Sequence, residues 1–345
     1  MSKSVIPEIR EQVDLQPFNT LSLPVWADYF CTVHDTAELK AALGFVNEKQ
    51  LPVCLLGGGS NSVFKGDFPG LVIQIALKGI TCEEQGTRRL VSVAAGENWD
   101  HFVRHCLHSG WYGIENLIAI PGSVGAAPIQ NIGAYGVELS ACLHSVTGVH
   151  IDSLQEQTLS AAECELGYRD SVFKNRLRDK FVITEISLEL SSDAQAQLQY
   201  PALKEALPDH YPPTPELVAQ TVEVVRASKL PDPATEPNAG SFFKNPIIDV
   251  EQAEQLLKQF PDLPHWPIAE GKVSGKVKLA AAWLVQHCGW KGRRMGPVGV
   301  HPKQAIVLVN YEGGSAAELL ALATAIQQEV FNTFSVSLDI EPRVY

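Results

Sequence analysis

Residues 120–136 read Ile-Pro-Gly-Ser-Val-Gly-Ala-Ala-Pro-Ile-Gln-Asn-Ile-Gly-Ala-Tyr-Gly and lie in a longer stretch, 111–140, with no clear period. Aperiodic stretches of this length are disordered or functional, and the apolar content here argues against disorder. The side chains of 120–136 are uncharged and mostly small. A flat ring could lie against such a backbone, with N–H donors along its polar edge. We therefore predict a ring-binding loop here, in preference to a buried linker.

A second glycine run, Gly57-Gly58-Gly59-Ser60-Asn61, follows an apolar run that predicts a buried strand at 53–56. Consecutive glycines let backbone N–H groups converge on one anion, and Ser60 and Asn61 add side-chain donors. The run is not a Walker loop, because no Gly-Lys-Ser/Thr follows, and Ser62 replaces the third glycine of a Rossmann loop. Taken alone, the run fits an anion-binding loop and a tight surface turn equally well.

The composition is that of a globular protein. The chain has 345 residues, of which 45% are hydrophobic and 19% charged, which suits two or three domains. A net charge of −12 argues against general nucleic-acid binding, which needs clustered Lys and Arg. No apolar run is long enough to predict a membrane-spanning helix, and the first residues lack the apolar core of a signal peptide. We expect a cytoplasmic protein that binds no nucleic acid and does not insert into membranes.

Cysteine and histidine spacing predicts no metal site. The seven cysteines are odd in number and form no Cys-x-x-Cys pair, so we expect buried thiols in a reducing compartment. His101, His105 and His108 share a helical spacing without an acidic partner between them, which favours a polar helix face.

Helical and strand patterns alternate irregularly along the chain and indicate an α+β class, not a doubly wound sheet. Residues 1–19 are expected to form an irregular N-terminal arm, and the polar connector 191–199 to mark a domain boundary. Asp35 and Ser315 each open a capping-box pattern. Predicted helices are 36–49, 98–108, 215–228, 249–260, 278–288 and 316–334; predicted strands are 27–33, 53–56, 71–77, 90–95, 181–190, 305–310 and 336–344.

Five blocks, in order along the chain, together resemble the UDP-N-acetylenolpyruvoylglucosamine reductases (MurB). They are Asn19-Thr20, Gly57 to Asn61, Ile120 to Gly136, Gly167-Tyr168-Arg169-Asp170-Ser171-Val172-Phe173-Lys174, and Asn238-Ala239-Gly240-Ser241-Phe242-Phe243-Lys244-Asn245-Pro246. Tyr200 resembles the substrate-capping tyrosine of the type I subgroup.

The resemblance implies a flavin-binding domain over 20–193, with the vanillyl-alcohol oxidase (PCMH-type) fold, and a smaller α+β substrate-binding domain over 200–345. It implies that NADPH reduces FAD, and that hydride passes from flavin N5 to C3 of UDP-N-acetyl-3-O-(1-carboxyvinyl)-glucosamine. A proton at C2 then gives UDP-N-acetylmuramate, a peptidoglycan precursor. No histidine lies in either glycine segment, so we expect the FAD to be non-covalent; we also expect a monomer.

The resemblance assigns catalytic roles to Arg169, Ser241 and Glu341. Arg169 suits a bidentate clamp on the substrate carboxylate, although a surface salt bridge is the alternative from the residue alone. Ser241 would protonate C2; a turn or cap serine is its alternative. Glu341 matches the family pattern Leu-x-x-Glu-x-Arg, but Ile340 and Pro342 depart from it, so Asp339 stays a possible substitute.

The remaining assignments concern the two ligands. For the sugar nucleotide the residues are Tyr200, Arg226, Lys229, Asn245 and Gln304. For FAD they are Gly57, Gly58, Gly59, Ser60, Asn61, Pro121, Gly122, Ser123, Gly125, Ala126, Ala127, Asn131, Gly133, Ala134 and Gly136. Two rivals stay open, an FAD-dependent sugar or lactone oxidase and a non-catalytic sugar-nucleotide-binding protein.

Overall fold

The computed structural model describes residues 7–193, 195–208, 213–268 and 275–345. The helices in these ranges are α1 (Thr36–Lys49), α2 (Trp99–His108), α3 (Pro201–Ala206), α4 (Pro215–Lys229), α5 (Val250–Gln259), α6 (Ala281–His287) and α7 (Ala316–Phe334). The earlier strands are β1 (Arg10–Asp14), β2 (Trp26–Val33), β3 (Val53–Leu56), β4 (Ser62–Val63), β5 (Phe68–Ile75), β6 (Ile80–Gln85), β7 (Arg88–Ala94), β8 (Gly133–Ala134), β9 (Val137–Glu138), β10 (Leu143–His150), β11 (Glu156–Ser160) and β12 (Phe181–Ser191). The later strands are β13 (Asn238–Ser241), β14 (Ile247–Asp249), β15 (His265–Ile268), β16 (Lys276–Leu279), β17 (Arg294–Met295), β18 (Val298–Val300), β19 (Val307–Asn310) and β20 (Arg343–Val344).

The chain divides into two compact units. Unit 1 comprises Met1–Val13, Ala27–Gly58 and Phe68–Ser228, and unit 2 comprises Asp14–Trp26, Gly59–Asp67 and Lys229–Tyr345. The units are delimited by spatial proximity, whereas the predicted domains were delimited by function, so the domain ranges 20–193 and 200–345 stay a prediction.

Unit 1 contains a four-stranded sheet in the order β1-β2-β5-β3, in which β5 runs parallel to both β2 and β3. A crossover helix, α1, joins β2 to β3. It begins after Asp35, whose carboxylate accepts the backbone N–H of Glu38 at 2.8 Å, as the capping pattern predicts. Leu39 and Leu43 on its inner face are fully buried in a cluster with residues of β2 and β5. Burial of this face fixes the helix on the sheet.

A second sheet of unit 1, in the order β11-β10-β12-β7-β6, is antiparallel throughout. Alternate residues of β7 and β12 point to one face, where Val93 pairs with Ile186 and Val91 with Leu188. These four side chains are completely buried in the largest core cluster. The same cluster takes in one face of α2, one face of α4 and much of the 111–140 stretch, so the predicted ring-binding loop is anchored on the core.

Unit 2 holds a β13-β19-β18-β17 sheet, a β14-β16-β15 sheet and the short parallel pair of β4 with β20. Its longest helix, α7, begins with a complete capping box between Ser315 and Glu318, as the sequence predicts. The buried face of α7 packs in a single core cluster with residues of α5, α6, β16, β18 and β19.

Several predicted boundaries are wrong. The expected arm contains β1, held at the edge of a sheet, where the Arg10 guanidinium lies 4.9 Å from the centre of the Phe30 ring. The expected helix 278–288 starts only at Ala281, because Val277 and Leu279 alternate as buried residues of β16. The expected strand 336–344 is reduced to a bridge at Ile340 and to β20. In place of a strand partner, the Gln327 side chain donates from Nε2 to the Leu338 carbonyl at 2.7 Å.

Candidate active site

The two glycine segments are in direct contact within unit 1. A β-carbon added to Gly58 would lie 3.3 Å from Cα of Gly122, and one added to Gly57 would overlap the Ser123 side chain. Only residues without side chains let two backbones approach this closely. The sequence predicts the two loops separately, and the structure brings 57–58 and 122–123 together.

The ring-binding loop, residues 120–136, is held on the rest of unit 1 by backbone hydrogen bonds. Val124 N–H donates to the Glu97 carbonyl at 2.8 Å, and Gly125 N–H donates to the Ala95 carbonyl at 2.9 Å. Val124 is completely buried, whereas Pro121, Ala126, Ile129 and Gly136 are exposed. The segment is therefore an ordered loop with one face on the core and a small, uncharged face outward.

Asn131 fixes the middle of this loop. It is completely buried, has a left-handed φ of 45°, and donates from Nδ2 to Glu138 Oε2 at 2.8 Å and to the Gly167 carbonyl at 3.1 Å. Its Oδ1 accepts the Ser140 N–H at 2.9 Å. A short polar side chain tolerates this backbone conformation, so the side chain of Asn131 holds the loop in shape.

Arg169 lies against the same loop. Its two terminal nitrogens donate to the carbonyls of Asn131 at 3.4 Å and Gly133 at 3.2 Å. Its backbone is left-handed, with φ 51°, within a tight turn in which Gly167 and Asp170 bond each other at 3.0 and 3.2 Å. Lys174 Nζ donates to the Arg169 carbonyl at 3.1 Å. The guanidinium is thus held at the loop.

At the far end of the loop, Tyr135 lies close to both Tyr200 and Arg226. The rings of Tyr135 and Tyr200 pack edge to face with centres 5.3 Å apart. Arg226, on α4, makes no hydrogen bond or ion pair within the described ranges, and its burial lowers the pKa of the guanidinium, partly offset by nearby Tyr135 and Asp100. A half-buried cation in this condition suits an anionic ligand.

Ser241 and Glu341 lie on neighbouring antiparallel segments of unit 2. Glu341 N–H donates to the Phe242 carbonyl at 2.9 Å, and Phe243 bridges to Ile340. Ser241 is half-buried at the end of β13, and its hydroxyl has no hydrogen-bond partner among the residues the structure describes. Asp339 is exposed, whereas Glu341 is half-buried. The backbone segments that carry this hydroxyl and this carboxyl are therefore adjacent.

The other predicted substrate contacts are less constrained. Asn245 Oδ1 accepts the Ala281 N–H at 2.9 Å, at the start of α6. The Gln304 carbonyl accepts the Val307 N–H at 3.1 Å in the turn before β19, which leaves the side-chain amide outside this backbone bond. Lys229 is the exposed last residue of α4.

The glycine segments fit a flavin cofactor with a diphosphate. Within the described part of the chain, the N–H groups of Gly58 and Gly59 donate to no other group. Free backbone donors in a glycine run are the usual partners of phosphate oxygens. The small outward face of 120–136 fits a planar ring, so both halves of the predicted site have the required chemistry.

Sequence reasoning missed two buried polar residues, Glu115 and Asn116, which are each 1% exposed at the entrance to the loop. Glu115 Oε2 accepts the Gly113 N–H at 2.7 Å, whereas Oε1 is buried without a partner. Burial raises the pKa of the Glu115 carboxyl, against the backbone N–H groups of 113–115, which lower it. The signal was present, since two polar residues stand between Ile114 and Leu117, but it fits a surface turn equally well.

The described residues contain no group of three or more His, Cys, Asp or Glu side chains arranged for a metal ion. Among the same residues, no helix combines the length and the apolarity that a membrane crossing requires.

Two family profiles match the chain. Residues 27–153 match the FAD binding domain, and residues 232–345 match the C-terminal domain of UDP-N-acetylenolpyruvoylglucosamine reductase. The predicted fold class, a PCMH-type FAD-binding fold followed by an α+β domain, is thereby confirmed. The crystal structure of the reductase (MurB) from Thermus caldophilus is 23% identical, with a TM-score of 0.68 over 98% of this chain and 100% of that one, and supports the same fold.

Full-length relatives carry one name. The UDP-N-acetylenolpyruvoylglucosamine reductase of Chromobacterium violaceum is 47% identical over 343 residues, covering 98% of this chain and 99% of the relative. That of Pseudomonas aeruginosa is 42% identical over 341 residues, with 98% and 99% covered. The five sequence blocks, the joined glycine segments and these identities agree, and the chain belongs to the UDP-N-acetylenolpyruvoylglucosamine reductase family.

Proposed function

We propose that this chain is an NADPH- and FAD-dependent oxidoreductase that reduces UDP-N-acetyl-3-O-(1-carboxyvinyl)-glucosamine to UDP-N-acetylmuramate. When bound, FAD would supply the hydride chemistry that couples oxidation of NADPH to reduction of the enolpyruvyl group at C3. The observation that carries the proposal is Arg169, whose guanidinium is fixed to two carbonyls of the ring-binding loop. An oxidase of a neutral sugar has no need of a fixed cation at this place.

Addition of hydride at C3 leaves negative charge on C2 and on the adjoining carboxylate. A guanidinium held in place before the reaction stabilises this charge without reorganising. Arg169 is the proposed clamp, because it stays charged and offers parallel N–H donors.

Ser241 is the proposed proton donor to C2. Its hydroxyl has no partner in the described residues and is therefore available to a ligand. Glu341 is the proposed carboxyl on the neighbouring segment, and its half-buried position favours it over the exposed Asp339.

The proposed FAD contacts are the residues of the two glycine segments named above, with non-covalent attachment. For the sugar nucleotide we propose Arg226 and Lys229 as cationic partners of the diphosphate, Tyr200 as the cap, and Asn245 and Gln304 as polar contacts. A monomeric state and a cytoplasmic role in peptidoglycan precursor synthesis complete the proposal, and size-exclusion chromatography tests the first of these.

The deciding experiment measures NADPH oxidation with and without the enolpyruvyl sugar nucleotide. We expect oxidation that depends on this substrate, and a flavin spectrum that disappears from the protein fraction after denaturation and precipitation. Substrate-independent oxidation, or oxidation of a sugar or lactone, would instead support the oxidase. Protein that binds the sugar nucleotide but lacks flavin would support the non-catalytic binder.

The Ser241→Ala variant separates the two half-reactions. We expect reduction of the flavin by NADPH to continue at a normal rate, while its reoxidation by the enolpyruvyl substrate falls by at least about a hundredfold, because general acid catalysis supplies factors of this size. Ser335→Ala, at the end of α7, is the control and should leave both steps unchanged. Normal reoxidation in Ser241→Ala would remove Ser241 from the mechanism.

A further inference from the structure

We propose that Asn116 is a positioning residue that sets the place of Tyr200 over the far end of the ring-binding loop. This inference rests on the proposed function, in which Tyr200 caps the sugar nucleotide. Asn116 lies outside the glycine segments and outside the set of residues that the sequence singles out. It is nevertheless among the most deeply buried polar side chains of unit 1.

The amide of Asn116 joins two distant parts of the chain. Its Nδ2 donates to the Tyr135 carbonyl, 19 residues away, and to the Gln197 carbonyl, 81 residues away, both at 2.9 Å. Each of the two N–H bonds of one planar group therefore has its own carbonyl. Because the group is buried, water cannot replace either hydrogen bond without opening the structure.

The two carbonyls belong to the backbones that carry the packed tyrosines. We call these two hydrogen bonds of Asn116 the Asn116 clamp. Tyr135 itself supplies one of the two carbonyls, and Gln197, which supplies the other, precedes Tyr200 by three residues. The backbones also touch beyond the clamp, since a β-carbon on Gly136 would lie 3.6 Å from the Tyr200 nitrogen. Asn116 thus fixes the start of the segment that bears Tyr200, while Tyr200 itself stays 39% exposed.

The requirement is for an amide and not merely for a polar side chain. Aspartate has the same shape but no N–H, and its carboxylate would face two carbonyl oxygens. Serine is neutral but too short to reach both. Either change should release the connector from the loop and leave the glycine segments, which have their own backbone bonds, in place.

The first measurement is amide hydrogen exchange, which needs neither substrate nor turnover. Leu203 and Lys204 N–H both donate to the Tyr200 carbonyl at 3.1 Å, so they report on the order of this segment. In Asn116→Asp we expect their exchange to accelerate at least about tenfold, with little change at Val124 and Gly125. Asn310→Asp is the matched control, because buried Asn310 also donates from Nδ2 to two carbonyls, those of Leu21 at 2.9 Å and Gly314 at 3.1 Å.

The second measurement is a double-mutant cycle with Tyr200→Ala, read as the Kd of the enolpyruvyl sugar nucleotide by calorimetry. We expect Asn116→Asp to weaken binding by about tenfold in the wild-type background and by less than about twofold in Tyr200→Ala, because coupled residues are not additive. FAD content should match that of the wild type. Asn310→Asp should leave the Kd unchanged while lowering thermal stability.

Additive losses in the cycle, or unchanged exchange at Leu203 and Lys204, would overturn the positioning role. Asn116→Ser, which adds no charge, takes the place of Asn116→Asp in both measurements if the aspartate variant does not fold. If the wild type neither binds nor reduces the substrate, the proposed function fails. In that case faster exchange at Leu203 and Lys204 in Asn116→Asp still supports the clamp.

Discussion

At the scale of single residues, Arg169 combines a left-handed backbone with a guanidinium that spans two carbonyls of one loop. A lysine keeps the charge but is a point donor on a flexible chain and cannot span both. We expect Arg169→Lys to reduce the rate of flavin reoxidation by substrate about a hundredfold, and to leave reduction by NADPH within about threefold. Stopped-flow absorbance separates the two steps. Arg178→Lys, at an exposed salt bridge with Asp179, is the control; equal rates in the two variants would exclude a clamp.

The burial of Glu115 should make the free energy of unfolding depend on pH in a measurable way. Burial raises the pKa of its carboxyl above the ordinary 4.5, so the folded state holds this proton more tightly than the unfolded state does. Its contribution to the free energy of unfolding is therefore complete below about pH 4.5 and is lost as pH rises through the folded-state pKa. Glu115→Gln removes this titration and gives the orphaned position a neutral amide.

We therefore expect Glu115→Gln to be more stable than the wild type by about 1 kcal/mol at pH 8 and to lose this advantage near pH 4. Urea unfolding at the two pH values measures the difference. Glu156→Gln, at an exposed ion pair with Lys40, is the control and should show no such gain at pH 8. A Glu115→Gln variant that is less stable at pH 8 would contradict a proton-holding carboxyl.

At the scale of elements, the sequence predicts the ends of a helix or strand well where a local motif determines them. Asp35 and Ser315 start helices α1 and α7 at the predicted residues, because a capping side chain acts within one turn. The sequence predicts these ends poorly where pairing with a distant strand determines them. The alternation Val336, Leu338 is buried as expected, but no strand pairs along it; β10 and β11 were missed because polar residues and Gly148 interrupt their patterns.

The same division applies to the site. Both glycine segments were recognisable, since their composition is local. Their contact at 57–58 and 122–123, the place of Arg169 on the loop and the clamp by Asn116 depend on residues tens of positions apart. The family resemblance singles out Arg169 and implies its role, but only the three-dimensional structure shows which carbonyls hold its guanidinium.

The contact between the glycine segments is testable as an element. A methyl group on Gly58 would meet backbone at 3.3 Å, which neither loop can yield cheaply. We expect Gly58→Ala to lose most of its FAD during purification, with a weakening of at least about tenfold in the Kd of FAD titrated into apoprotein. Gly44→Ala, on α1 with no atom within 4 Å of the added carbon, should bind FAD normally and gain about 0.5–1 kcal/mol from helix propensity. Full FAD occupancy in Gly58→Ala would show that the close approach is not needed.

At the scale of the whole molecule, a chain of net charge −12 must bind a dianionic diphosphate and a carboxylate. The proposed cations, Arg169 and Arg226 in unit 1 and Lys229 in unit 2, are therefore exceptions to the general field of the protein. Arg226 is the extreme case, because its burial already lowers the pKa of the guanidinium and no described group pairs with it. In an acidic protein, anions are attracted only where individual cations such as these outweigh the general negative field.

The seven thiols test how firmly the interior of unit 1 is closed, because all five buried cysteines lie in that unit. Burial raises the pKa of Cys31, Cys142 and Cys164 to about 12, and only Cys82 and Cys288 are partly exposed. The thiolate is the reactive form, so iodoacetamide at pH 8 should modify two of the seven cysteines in the native protein, slowly, and all seven in guanidinium chloride. Mass spectrometry counts and locates the adducts, and the double variant Cys82→Ser, Cys288→Ser should remain unmodified. Labelling of Cys106 or Cys142 at the rate of Cys82 would mean that the core beneath the ring-binding loop opens far more often than its packing implies, because a buried thiol reacts only when the structure around it opens.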